Sequence, residues 1–205
     1  MTYPLDALDQ PHMQLLLRLT LGGLLLLAGV TKLAGRAAFR DAVAEYQVLP
    51  RALEAPFATA MPWLETTLGA LLLAGFGTPI AAALATPLLL SFGVAIGVNL
   101  ARGRSFNCHC FGSVQGDQIG WPALLRSLAL VAVALVVALG ASRFGALDAA
   151  LFGSSSGLPP AAEVVPVVFL AAVVLDVLIL LPEAAAVQLS FSQTYGRRRH
   201  ERSAR

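Results

Sequence analysis

Cys108-His109-Cys110 is the part of this chain best equipped for chemistry, because it holds both cysteines of the 205 residues, one residue apart. Two cysteines placed at random fall at that spacing about once in a hundred such chains, so the spacing carries the signal and the count does not. Phe106-Asn107 before the pair and Phe111-Gly112 after it place the thiols at a turn between two apolar stretches. Three chemistries fit. In a redox pair, one thiolate attacks a partner's disulfide and the neighbouring thiol resolves the mixed disulfide. A Cys-x-Cys disulfide closes a very small ring, and departure from relaxed geometry makes such a bond easier to reduce. Arg102, Arg104 and a protonated His109 would favour thiolate there. A soft-metal site on Cys108, Cys110 and His109 is the second reading. It falls short of the four ligands that a closed zinc site uses, although Cu(I) manages with fewer. A structural disulfide or plain buried thiols are the third. The spacing and setting favour the redox pair, and neither a metal nor a cofactor is assigned.

The elements that must position these thiols are membrane helices. The chain is 57% hydrophobic and 13% charged, with a mean hydropathy of +0.74, whereas soluble domains carry charge on roughly a quarter of their residues. Five stretches, at about 13–31, 56–76, 78–100, 122–141 and 164–181, approach or exceed the ~20 residues needed to cross a hydrocarbon core. The expected fold class is therefore an all-α integral membrane protein. Its first four spans form an up-and-down bundle, and a fifth C-terminal transmembrane helix follows the flexible stretch Gly153–Pro160. Residues 1–12 form an N-terminal segment, 13–181 the membrane domain and 182–205 a basic tail. Gly35–Leu49 mixes Arg36, Arg40, Asp41 and Glu45 with Phe39, Val43 and Tyr46, the pattern of a short amphipathic helix at the membrane interface. It should end at Leu49-Pro50, since the residue before proline avoids the helical region. The tight turn Gly75–Pro79 predicts that the second and third spans pack as an antiparallel hairpin. Gly93 and Gly97 permit close helix approach within the fold.

Residues 1–12 contain no Lys or Arg ahead of the first apolar run, which reads as an uncleaved span with a translocated N-terminus. Lys32, Arg36, Arg40, Arg51, Arg102, Arg104, Arg126 and the arginines of the tail then fall on the cytoplasmic side, as the positive-inside rule requires. The expected location is the cell inner membrane, multi-pass, with the N-terminus outside and the C-terminus cytoplasmic. The basic excess has the bilayer as its partner and needs no nucleic acid. In that topology Lys32, Glu65, Asn99, Cys108, Cys110, Arg126 and Asp176 lie towards one end and could line a single inner vestibule. Ionisable groups at membrane depth are costly and hence candidates for function. The plainer alternative has Lys32 and Arg126 snorkelling to headgroups and Glu65 in a structural pair. Arg18, near the other face, reads as an interfacial anchor. No nucleotide-binding loop, hydrolase motif or metalloprotease motif occurs.

Several of these residues carry a resemblance to a known family. Ala28-Gly29-Val30-Thr31-Lys32-Leu33, Tyr46-Gln47-Val48-Leu49-Pro50, Pro62-Trp63-Leu64-Glu65, Cys108-His109-Cys110-Phe111-Gly112 and Ile119-Gly120-Trp121 with Arg126 resemble the MauE family of methylamine utilisation proteins, a branch of the wider DoxX-like membrane group. The similarity covers roughly residues 13–140. It departs at His109, where such proteins usually carry a small residue. The resemblance implies a membrane protein serving maturation of the disulfide-rich small subunit of methylamine dehydrogenase, beside a periplasmic thioredoxin-like partner. Cys108 and Cys110 would be the exchanging thiols, at most a relay rather than an ordinary enzyme, with His109, Glu65, Lys32, Asn99, Arg126 and Asp176 in support. Charge counting puts the thiols inside whereas an exported client wants them outside, so a carrier reaching both faces is one resolution. The alternative is a non-catalytic scaffold or small-solute permease in which the thiols are structural. A quinone-linked thiol oxidase would need a quinone pocket. The residues leave the oligomeric state open.

Overall fold

In lipid every backbone N–H and C=O must be satisfied within its own segment, so long apolar runs become helices. The computed structural model describes residues 10–104, 120–140, 144–152 and 160–178, and it is helical with no strand among them. Helix α1 spans Pro11–Ala34, α2 Arg36–Tyr46, α3 Arg51–Ala74, α4 Thr78–Ala101, α5 Trp121–Leu139, α6 Leu147–Phe152 and α7 Ala161–Leu178. Five of them, α1, α3, α4, α5 and α7, are long and apolar enough to cross a membrane. Ile80, Leu84, Leu139 and Phe169 are among many large apolar side chains that stand exposed. Such a surface would drive aggregation in water and is at home against acyl chains. This is a multi-pass membrane protein.

The helix ends follow local chemistry. Pro11, Pro79 and Pro122 sit in the first turns of α1, α4 and α5, where a missing N–H costs nothing. Helix α3 stops at Gly75, whose φ of 69° suits the left-handed conformation. Gly75 N–H donates to Leu72 O at 3.2 Å and Phe76 N–H to Leu71 O at 3.0 Å, which satisfies two terminal carbonyls. Helix α2 buries Phe39, Ala42 and Val43 and exposes Arg36, Arg40, Asp41 and Glu45, as its 3.6-residue period demands. It ends at Tyr46 rather than at Leu49, because Gln47 turns left-handed (φ 49°) and its N–H folds back onto Ala44 O.

The second and third spans, α3 and α4, meet across their tight turn as expected, but theirs is not the most extensive pairing. Helix α1 packs most extensively on α3, and α4 on α5, while α3 and α4 meet over a shorter contact. Glycine explains the first pair. A Cβ on Gly69 would lie 2.8 Å from Gly22 O and 2.8 Å from Leu26 Cα, and one on Gly29 would lie 2.8 Å from Pro62 O. The two backbones touch, so these positions exclude side chains. Gly93 faces Ser127 and Gly97 faces Leu124, which brings α4 against α5. Gly69→Val is expected to cost about 3 kcal/mol, the upper end for overpacking, because backbone rather than a flexible side chain must yield. Thermal unfolding in detergent, compared with Ala70→Val on an exposed position of the same helix, measures it; equal midpoints would refute the backbone contact.

The opposite end of the bundle holds a second correction. Arg18 is no interfacial anchor; only 4% of it is exposed. Its Nη2 donates to Gly145 O at 2.8 Å and its Nη1 to Phe144 O at 3.4 Å, so α1 grips the loop that leads into α6. Asp148 Oδ2 accepts from Gly77 N–H at 3.3 Å, and α6 thereby closes over the α3–α4 turn. This short helix has no counterpart among the expected elements. Helix α7 lies on the flank of α1, with Leu175 and Leu178 against Leu24 and Ala28.

Candidate functional site

The close α1–α3 crossing at Gly29 and Pro62 lets charged side chains on either side of it meet. Lys32 Nζ lies 2.5 Å from Glu65 Oε1, with 1% and 2% of the two side chains exposed. Such exposure excludes snorkelling for Lys32. Two rings complete the enclosure, since Nζ sits 5.2 Å from the centroid of Phe39 on α2 and 4.5 Å from that of Phe92 on α4. An ammonium over aromatic faces gains electrostatic attraction that grows as water is removed. Charges this deep persist because each is the other's partner, and removing one of them costs far more than removing both.

Glu65 is only half used. Its Oε2 is buried and has no hydrogen-bond partner among the described residues. A cavity of about 50 Å³ adjoins Glu65, and Arg126, Ser127, Phe92 and Ile96 are among its other walls. Ser127 Oγ donates to Leu89 O at 3.4 Å.

The structure thus brings Lys32 and Glu65 into contact and sets Arg126 on the same cavity. Asn99 does a different task. It is fully buried, and its Nδ2 donates to Tyr46 O at 3.0 Å and to Ala95 O at 2.9 Å, which fastens the end of α2 to α4. Its Oδ1 accepts from Arg104 Nη1 at 3.3 Å. Tyr46 lies beside this clasp, and burial, reinforced by Glu45, pushes its phenol above the ordinary value, so it remains a neutral hydroxyl. Asp176 does not join the others. It is exposed, because α7 turns Leu175 and Leu178 inward and residue 176 then points away. Cys108, His109 and Cys110 lie outside the described residues. Helix α4 ends at Ala101 and α5 begins at Trp121, both at the end of the bundle that carries Lys32.

Phe39 and Phe92 were not singled out by sequence reasoning. Phe39 falls on the apolar stripe of α2, a signal that marks burial without a role. Phe92 sits in a helix that is apolar all round and carries no local signal.

Residues 10–140 match the family described as methylamine utilisation protein MauE. The chain is 39% identical over 113 residues to methylamine utilization protein MauE of Methylophilus methylotrophus, covering 54% of this chain and 60% of that protein. It is 33% identical over 155 residues to the protein of that name from Paracoccus denitrificans, covering 75% and 82%. The one from Methylorubrum extorquens is 34% identical over 155 residues, covering 74% and 83%. No solved structure matches the chain.

Proposed function

Because this chain belongs to the MauE family of methylamine utilisation proteins, we propose that it assists maturation of an exported, disulfide-containing protein through thiol–disulfide exchange at Cys108 and Cys110. The client that the family resemblance implies is the methylamine dehydrogenase small subunit. The observation that carries the reading is the placement of both cysteines, one residue apart, on the link between α4 and α5 of a five-span chain. The exchange is balanced without a further reactant. A thiolate of the pair attacks a disulfide of the partner, a mixed disulfide forms, and the second thiol displaces the partner's sulfur as thiolate. Two thiols are oxidised to a disulfide as the partner's disulfide is reduced to two thiols, and the reverse runs through the same intermediate. A thioredoxin-like protein on the outer side of the inner membrane is the exchange partner in this reading. The distribution of Lys and Arg supports an outside N-terminus and a cytoplasmic C-terminus, which puts the α4–α5 link on the inner side, so exchange with an outer partner requires a carrier whose thiols reach both faces.

The test is the redox state of the pair in living cells, trapped by alkylation with membrane-permeant and impermeant maleimides. The expected result is a pair that shifts between dithiol and disulfide when a thioredoxin-like partner is deleted, with the impermeant reagent reporting the face. Thiols that remain reduced in both backgrounds would refute the relay in favour of a scaffold or permease.

A further inference from the structure

Glu65 lines one cavity, and Phe39 and Phe92, the rings over Lys32, line another. Beyond the small one next to Glu65 lies a larger, half-open cavity of about 360 Å³ between α2 and α4. Phe39, Tyr46, Phe57 and Phe92 supply its aromatic walls, and the rest is almost wholly aliphatic. Its volume falls within the range of small-molecule sites. Leu90 and Val94 line it and are 45% and 50% exposed, so it opens on a face of α4 that meets acyl chains. The side chain of Phe92 is common to the walls of the apolar groove and of the polar corner at Glu65.

A plain apolar groove in a membrane protein would hold lipid tails and nothing further could be said of it. The polar corner asks for more. Glu65 Oε2 accepts hydrogen bonds only, and it is buried and unpartnered among the described residues. An acceptor left this way costs about 1–3 kcal/mol, and more when charged. Across the small cavity, Ser127 Oγ uses its own proton on Leu89 O and keeps lone pairs to offer. The corner therefore fits a head that donates hydrogen bonds, and the positive side chains of Lys32 and Arg126 disfavour a cationic one.

We propose that the two cavities form one binding site for a lipid-soluble molecule, whose apolar body fills the groove between α2 and α4 and whose small hydroxylated head passes Phe92 to reach Glu65. Membrane quinols and monoacylglycerols share that chemistry. Ligand binding moves Phe92, one of the two rings over Lys32, and so couples occupancy of the groove to the ion pair. Nothing in this site requires the thiols, and it stands whether or not they exchange.

The experiment is native mass spectrometry of the purified full chain, released from detergent, with decylubiquinol kept anaerobic in one series and 1-monolauroylglycerol in another. The expected result is a saturable one-to-one adduct with one of the two, which identifies the source of the head group. Ala95→Phe and Ser91→Leu each fill the groove from α4 without touching the ion pair. Either should weaken the adduct at least about tenfold, equivalent to 1.4 kcal/mol. Glu65→Gln should weaken it too, while Cys108→Ser/Cys110→Ser should bind like the parent protein. Saturable binding to neither probe, or binding unchanged in both groove-filling variants, overturns the proposal. Failure of the cysteine relay in cells leaves this adduct untouched, so the two readings fail separately.

Discussion

Lys32→Met and Glu65→Leu are each expected to destabilise the protein by about 3–5 kcal/mol, and the double variant is expected to regain most of that loss. The asymmetry follows from burial. With both side chains buried, removing one leaves an isolated charge in a largely apolar setting without its partner. Replacing both removes the charges together and substitutes side chains of similar bulk beside Phe39 and Phe92. Unfolding in mixed micelles, followed by the fluorescence of Trp63 and Trp121, measures all three variants. Single variants within about 1 kcal/mol of the parent would mean that water reaches the pair. The double variant also separates packing from function. If the pair only holds α1 to α3, restored stability brings restored activity. If Glu65 serves the site, the double variant folds and client maturation stays lost.

Cys108→Ser and Cys110→Ser are expected to reduce client maturation to background while the protein remains in the membrane at its normal level. Serine is close to cysteine in shape but forms no disulfide, so the change removes exchange and spares the bundle. The two single variants should differ in a further respect. Loss of the attacking thiol abolishes the mixed disulfide, whereas loss of the resolving thiol leaves it unable to break. One of the two should therefore accumulate a covalent adduct with the thioredoxin-like partner, visible on a non-reducing gel and removed by dithiothreitol. Full maturation in the double variant would refute a role for the thiols. An adduct with neither single variant, in the presence of lost activity, would place the cysteines outside the exchange step.

The helices were legible because the rule that makes them is local. A run of about 20 apolar residues must satisfy its own backbone in lipid, and no distant residue alters that requirement. The amphipathic helix α2 was legible for a similar reason, since its period shows within a dozen residues, although its end was not. Gln47 terminates it through a left-handed turn that Leu49-Pro50 did not signal. The thiol pair, too, declares itself by spacing alone.

Long-range approach decided the rest. Lys32 and Glu65 each stood out as ionisable groups within apolar runs, but 33 residues separate them. Only the contact of backbones at Gly22, Gly29 and Gly69 makes them partners. The same geometry made α1 and α3 a more extensive pair than the α3–α4 hairpin, buried Arg18 under the loop before α6, and turned Asp176 away from the others. Phe92 became common to the walls of two cavities although nothing around it in the chain distinguishes it from its neighbours. Hydropathy sets which segments enter the bilayer, whereas the few positions lacking a side chain set which faces meet, because lipid gives apolar faces no preference among themselves and close packing must choose.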